Sequence, residues 1–476
     1  MNHLTDILYN FLNTAFLLYT FVLFASYIIL ALISAFVLRF YLKKNSFVNY
    51  NVIRDSPLAP SVSIIAPAHN ESKTILENIR ALLQIRYNDF DVIVVNDGST
   101  DDTMEKVIGE FSLQKVSVAY HKYIPVKHIR GIYRSDDIRY SCLVVIDKDN
   151  GGKFDALNAG INFTDKTNFV VIDVDCVLEK NALLRLVKPF IEESERTVIA
   201  AGGVIRIANS CTVDNGRITQ VKVPGNLWAR FQVLEYTRAF LMGRIAWAQL
   251  NGLLVISGAF GMFNRDIVIR CGGYADTVGE DMELIVRMRR YMCEHNLPYK
   301  VHYIPDPLCW TEVPSTLPVL GRQRNRWTRG NMETLFKHIK LFMNPKYGLI
   351  GMLSYPYWLL FEWLAPVVEV FGIVYFIILL FAGSIDWNFF LLMLGFVYSF
   401  AMAFSTWALL FEELTYHKYP RKTDILKLFV TAHLEPLIYH PLQVYFAVRG
   451  NIDYFRGKRG WGNMQRVGFG GKNVTI

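Results

Sequence analysis

Between Ile7 and Leu38 the chain carries no charged residue, and its apolar stretch Thr14–Leu38 is long enough to cross a bilayer as a helix and too long for a signal-peptide core. Arg39, Lys43 and Lys44 come directly after it and no Lys or Arg precedes it, so the positive-inside bias puts the next part of the chain in the cytoplasm. After a polar stretch with Pro57 and Pro60, the pattern changes. Val62–Ala66, Val92–Val95, Leu143–Ile146 and Phe169–Ile172 are short apolar runs suited to strands buried on both faces. Polar turns and helical patterns, Ser72–Leu83 and a second one ending near Phe111, lie between them. Strand, turn and helix in repetition predict βαβ units and a parallel sheet. Residues 112–141 are irregular and basic and read as an insertion before the 143–146 strand. An amphipathic helix opens at Gly279-Glu280-Asp281 and continues through Leu284, Ile285, Met288 and Met292; a longer one runs from Pro318 to Phe342.

Beyond Lys346 the pattern is apolar again. Tyr347–Ile385 holds only Glu362 and Glu369 as charged residues and reads as an interfacial piece followed by a span centred on Val367–Phe381. Trp387–Phe411 is free of charge and spans. Ile425–Val448 is less clean: Pro436 and Pro441 break it, and His433, Glu435 and His440 lie inside it. Strict alternation places the basic tail outside, against the positive-inside bias. Either this segment is re-entrant or interfacial, or the 347–385 stretch crosses twice. Glu362, Glu369 and Glu435 are costly facing lipid and are expected on a polar path or at an interface. The chain thus divides into an N-terminal transmembrane segment (1–44), a linker (45–61), an α/β domain (62–317), an amphipathic interface helix (318–346), C-terminal transmembrane and interfacial helices (347–448) and a basic tail (449–476).

Composition narrows this picture. The 476 residues are 52% hydrophobic with a net charge of +8, and much of the positive charge sits between Arg449 and Lys472, where a membrane surface explains it more economically than nucleic acid. The six cysteines are scattered without a C-x-x-C pair, which indicates neither a zinc site nor a disulfide framework.

The polar residues at strand ends carry the candidate chemistry. Asp173 and Asp175 follow the Phe169–Ile172 run at i, i+2; continued as a strand, both point to one side at its carboxyl end, where open α/β sheets bind ligands. Alone, the pair fits either a helix cap or a Mg²⁺ or Mn²⁺ ion that brings substrate phosphates with it. Asp97, in Asn96-Asp97-Gly98-Ser99, ends another strand, where it suits either turn chemistry or hydrogen bonds from a base or ribose. Gly151-Gly152-Lys153 opens a helix and offers N–H groups and a cation to an anion. Asp281, in a first helical turn, is favoured as a carboxylate and suits either capping or a general base. Gln323, Arg326 and Trp327 share one helix face, and Arg suits phosphate while indole stacks on a sugar ring; a basic interfacial helix with a Trp anchor is the competing explanation.

Taken in order, P-A-H-N-E, N-D-G-S, G-G-K-x-x-A-L-N, D-V-D, G-E-D and Q-R-N-R-W resemble the family 2 glycosyltransferases, specifically the membrane-embedded processive synthases of poly-N-acetylglucosamine, chitin, hyaluronan and cellulose. The resemblance covers Val62 to Phe342. It implies a GT-A fold and nucleotide-sugar contacts from Glu71, Asp97, Lys153, Asp173, Arg324 and Arg326, with Asp97 at the uracil nucleoside and the two arginines at the diphosphate. It further implies a divalent cation, Mg²⁺ or Mn²⁺, on Asp175 with Asp173, and Asp281 as the base. Glu280, Gln323 and Trp327 would meet the acceptor, with Trp327 as its floor. The implied reaction is inverting transfer from a UDP-sugar, UDP-GlcNAc favoured and UDP-Glc next, to the end of a β-linked polysaccharide at the inner membrane, the catalytic domain being cytoplasmic. Accessory synthase subunits are implied as further partners. Transfer of one sugar to a lipid acceptor and a silent scaffold are the alternatives. Two features depart from the family pattern: the 112–141 insertion is longer than usual, and only one clear N-terminal span is present.

Overall fold

The apolar runs at 62–66, 92–95, 143–146 and 169–172 do pair, each within a slightly longer strand. In the computed structural model, which describes residues 3–214, 216–458 and 460, the strands are β1 (Val62–Ala68), β2 (Phe90–Asp97), β3 (Leu113–Val116), β4 (Ile129–Ser135), β5 (Leu143–Lys148), β6 (Asn168–Ile172), β7 (Cys176–Leu178), β8 (Thr197–Ile207), β9 (Thr212–Asp214), β10 (Arg217–Gln220), β11 (Phe260–Asn264) and β12 (Tyr299–Thr311). Ten form one mixed sheet in the order β3-β4-β5-β2-β1-β6-β11-β8-β12-β7, and β9 and β10 form a separate hairpin. The four strands β5, β2, β1 and β6 are mutually parallel. Their carboxyl ends therefore share one edge, and the strand order reverses between β1 and β6. That reversal opens the crevice in which such sheets bind ligands.

Residues 112–141 are only partly irregular: 117–128 carry no strand or helix, but the flanks pair. β3 and β4 form an antiparallel pair that extends the sheet beyond β5. At that rim polar residues such as Gln114, Lys115 and Arg134 occupy strand positions, so the apolar run that marks a buried strand is missing.

Among the described residues two helical segments, Tyr9–Asn45 and Trp387–Thr415, are long and apolar enough to cross a membrane; a third span is formed if Ile350–Trp363 and Ala365–Phe381, bent by 43° at their junction, act as one. The bend falls within the 347–385 stretch expected to be an interfacial piece followed by a span. Pro436 and Pro441 do not break the last segment: the helical run continues from Lys422 to Phe455 through a π turn at Glu435–Tyr439. A π turn re-spaces the backbone hydrogen bonds, which accommodates a residue without an N–H. Of the tail, 459 and 461–476 lie outside the described residues.

The apolar helices are tied to the sheet by buried charges. Arg206 on β8 pairs with Glu412 at 2.5 Å, and Tyr41 and Arg185 both reach Asp306 on β12. The acids of the C-terminal apolar stretches face protein partners: Glu435 binds Arg238 and Ser405, and Glu369 lies 2.8 Å from His440.

Candidate active site

One cavity of about 2280 Å³ begins at the carboxyl ends of β1, β2 and β6 and continues between the apolar helices as far as Tyr27, Glu362 and His440. Glu71, Asp97, Lys153, Asp173, Asp175, Glu280, Asp281, Gln323, Arg324, Arg326 and Trp327 all line it. Residues from distant stretches of sequence therefore meet in one space.

Asp173 and Asp175 reach it from a turn rather than a strand. β6 stops at Ile172, and the Cys176 N–H donates to the Asp173 carbonyl at 3.0 Å. Strand alternation therefore does not apply to them; the turn that reverses the chain into β7 presents both. Among the described residues no group of three or more His, Cys, Asp or Glu side chains is placed to hold an ion. A two-carboxylate site suits a hard cation that completes its shell with water and phosphate oxygens, so the donor set fits Mg²⁺ or Mn²⁺ arriving with a nucleotide.

Lys153 is the hub. The helix Lys153–Phe163 starts from Gly152, whose φ of +91° favours glycine. The ammonium of Lys153 lies 2.7 Å from Asp173, 3.1 Å from the Gly258 carbonyl and 3.5 Å from Glu280. Burial works against its charge, but Asp173, Glu280 and Asp281 outweigh it and hold the ammonium more basic than an ordinary lysine. Burial also pushes the Glu280 carboxyl up to about 7 against the pull of Lys153, with the Asp281 charge adding to the rise. Beside it, Asp281 accepts the Gly258 N–H at 2.8 Å and the Met282 N–H at 2.9 Å. A carboxylate held by two N–H groups in a first helical turn has a fixed direction, which a general base needs.

Asp97 departs from the expected arrangement. It accepts Gly151 N–H at 2.9 Å, Gly152 N–H at 2.7 Å and the buried Lys148 ammonium at 2.7 Å. The glycine pair thus spends its donors on Asp97 instead of an incoming anion. Three of the carboxylate's roughly four acceptor positions are taken. Glu71 accepts the Thr74 hydroxyl at 2.9 Å.

The helix Leu317–Lys337 supplies the opposite wall. Gln323, Arg326 and Trp327 share the face turned to the cavity, and Arg326 is close enough to Glu280 to pull its carboxyl down. Arg324, which also lines the cavity, is engaged within the protein: its guanidinium pairs with Glu235 at 2.7 Å and lies 4.0 Å over the Trp327 ring centre. The helix also clamps the loop before Asp281. Glu333 accepts the Val278 N–H at 3.0 Å, and the Gly279 and Gly330 backbones meet so closely that a Cβ on either would lie within 3.0 Å of the other. One turn further, Glu283 is buried; hydrogen bonds from His338 and Lys337 and the Arg287 charge overcome that burial and hold it at about 2.

Sequence reasoning did not find Glu235 and Arg238. Their signal is faint: an acid and a base three residues apart at the end of a mostly apolar helical stretch, where neither belongs unless paired.

The chain is 28% identical over 295 residues to the probable glycosyltransferase YdaM of Bacillus subtilis, covering 60% of this chain and 59% of that one. It is 26% identical over 340 residues to a poly-beta-1,6-N-acetyl-D-glucosamine synthase of Staphylococcus epidermidis, covering 70% and 69%. The match to the first thus spans less than two thirds of that relative's length. Among solved structures, a mannosyltransferase of Pyrobaculum calidifontis in complex with GDP-Man and Mn²⁺ aligns over 92% of this chain and all of its own at 16% identity, with a TM-score of 0.49. The model of the family described as glycosyltransferase like family 2 matches residues 59–330, more than half of the chain, which therefore belongs to the family 2 glycosyltransferases.

Proposed function

We propose that the chain transfers a sugar with inversion from a UDP-sugar, UDP-GlcNAc before UDP-Glc, to the end of a growing β-linked polysaccharide. The observation that carries this reading is the single cavity that joins Lys153, Asp173 and Asp175 to Asp281 and Trp327 and then continues between the apolar helices. A transferase that adds one sugar to a small acceptor has no use for that continuation, whereas a growing chain must go somewhere. The poly-N-acetylglucosamine synthases among the relatives support the choice of donor.

Lys153 and Arg326 bind the nucleotide diphosphate, and Asp97 and Glu71 bound the nucleoside end. Asp175 and Asp173 would hold Mg²⁺ or Mn²⁺, which when bound offsets charge on the leaving diphosphate. Asp281 takes the proton of an acceptor hydroxyl as its oxygen attacks the anomeric carbon from the face opposite the diphosphate. The bond to the diphosphate oxygen breaks with its electron pair, so an α-linked donor yields a β-linked product. Trp327, Gln323 and Glu280 orient the acceptor ring. The catalytic domain lies on the cytoplasmic side of the membrane, and accessory subunits are further partners.

The test is incubation of the full chain in membranes with Mn²⁺ and a panel of labelled UDP-sugars. A ladder of long products from one donor is the expected result; a single added sugar excludes polymerisation. Asp281→Asn should lower transfer by about 10²–10⁴-fold, the usual share of a general base, while UDP binding persists. Transfer that survives in this variant removes Asp281 from the base role.

A further inference from the structure

Glu235 belongs to none of the sequence motifs, yet its carboxylate is the anchor of a buried cluster. It pairs with Arg324 at 2.7 Å and accepts the Tyr439 hydroxyl at 2.7 Å, and the same Arg324 nitrogen donates to that hydroxyl at 3.1 Å. Phe231 stacks on the Tyr439 ring at 4.9 Å, which fixes the hydroxyl end. One turn along the same two helical segments, Arg238 pairs with Glu435 and forms a second rung. Side chains separated by 89 and 204 positions in sequence are thus locked together beside the cavity. The Arg324 side chain is nearly sealed from water and so is held firmly to its counter-charge.

What Arg324 covers is the indole of Trp327, three residues on, whose ring centre is 4.0 Å from the guanidinium carbon. Trp327 is itself 41% exposed. A cation held over one face of an indole orients the ring and leaves the other face available. We propose that Glu235, with Tyr439, is a positioning residue for the acceptor: acting through Arg324, it sets the plane of the Trp327 indole on which the terminal sugar rests. This rests on the reading of Trp327 as the acceptor floor. It assigns Arg324 to the acceptor side of the reaction rather than to the diphosphate. The rival outcome is concrete, because Nε and Nη1 of Arg324 have no partner and could meet an anionic oxygen.

The experiment uses the full chain in lipid nanodiscs with Mn²⁺, a UDP-sugar that the wild type transfers, and a short β-linked N-acetylglucosamine oligosaccharide as acceptor. Glu235→Gln keeps the size of the side chain and removes its charge; Tyr439→Phe removes only the hydroxyl. For both, the acceptor KM should rise and transfer fall, by about tenfold for Glu235→Gln, as expected of a misplaced reacting group. The share of donor lost to hydrolysis should rise and UDP affinity stay within about twofold, since neither residue touches the nucleotide in this reading. Arg326→Ala should instead lose UDP affinity. If Glu235→Gln does not fold, Tyr439→Phe must show the same split, smaller. A parallel loss of UDP affinity puts Arg324 on the diphosphate and overturns the proposal. So does a lowered melting temperature with an unchanged acceptor KM, which is a purely structural role. A wild-type chain that transfers nothing from any UDP-sugar removes the functional reading itself.

Discussion

In the strand-end half of the cavity, backbone N–H groups share in holding the carboxylates: Asp97 takes those of Gly151 and Gly152 beside the Lys148 ammonium, and Asp281 those of Gly258 and Met282. In the helix half, side chains hold side chains: Arg324 with Glu235 and Tyr439, Arg238 with Glu435. Strand ends and helix starts present N–H groups whatever residue stands there. A cross-helix ion pair has no such reserve. Losing one member leaves the other charge buried alone. Activity and stability should therefore come apart in the strand-end half and fall together in the helix half.

The largest expected effect tests the first part of that contrast. Asp175→Asn should reduce transfer by about two to three orders of magnitude, the scale of losing one electrostatic stabiliser of a leaving group. The turn itself is closed by the Cys176-to-Asp173 backbone bond and keeps its shape, so the melting temperature should move little. Removing divalent cations with a chelator should give the same loss in the wild type. Arg238→Met, on the helix side, should cost about 3–5 kcal/mol of stability. If thermal melts rank the two variants the other way round, the contrast is wrong.

Glu280 offers a smaller, pH-dependent test. Its carboxyl is pushed by burial to about 7 in the folded protein, from an ordinary 4.5. The folded state thus holds this proton more tightly than the unfolded one. The stability tied to it is complete below about pH 4.5 and is lost as pH rises through 7, up to a limit on the order of 3 kcal/mol. Glu280→Gln cannot titrate. Melting temperatures of the wild type relative to this variant should therefore decline between about pH 5 and 7.5. A flat difference across that range means that Glu280 stays ionised throughout.

The contrast also decides how much was legible in the sequence. Asn150–Lys153, Asp173–Asp175 and Gly279–Asp281 are contiguous because one turn presents several polar groups at once, and each block contributes residues to the cavity wall. The central strands are equally plain, being buried on both faces and continuously apolar. The polar rim strands β3 and β4 lack that mark, which is why their sequence resembles an insertion. Strand alternation is the wrong argument for Asp173 and Asp175, because β6 ends one residue before the pair. Glu235 and Arg238 are silent for a further reason: their partners lie on helices far along the chain, and no local pattern announces a distant counter-charge. Arg324 stands inside a legible motif, yet its direction is set by Glu235, which is not legible.

The two halves touch at Gly279 and Gly330, and the smallest expected effect tests that contact. A Cβ at residue 330 would lie 2.8 Å from the Gly279 Cα and 2.9 Å from its nitrogen, which are backbone atoms with no rotamer to give way. Gly330→Ala must therefore shift the Leu317–Lys337 helix away from the loop that leads into Asp281. Overpacking of this kind costs about 1–3 kcal/mol. The shift also widens the gap between the helix that carries Trp327 and the helix start that carries Asp281, while Lys153, Asp173 and Asp175 stay where the sheet holds them. Transfer should fall about tenfold for a displacement of well under about 1 Å, the acceptor KM should rise, and UDP affinity should fall less than transfer, because Arg326 moves with the helix while Lys153, Asp173 and Asp175 do not. If UDP affinity falls as steeply as transfer, the strand-end half is not independent of the helix that faces it, and the two form one unit rather than two surfaces in contact.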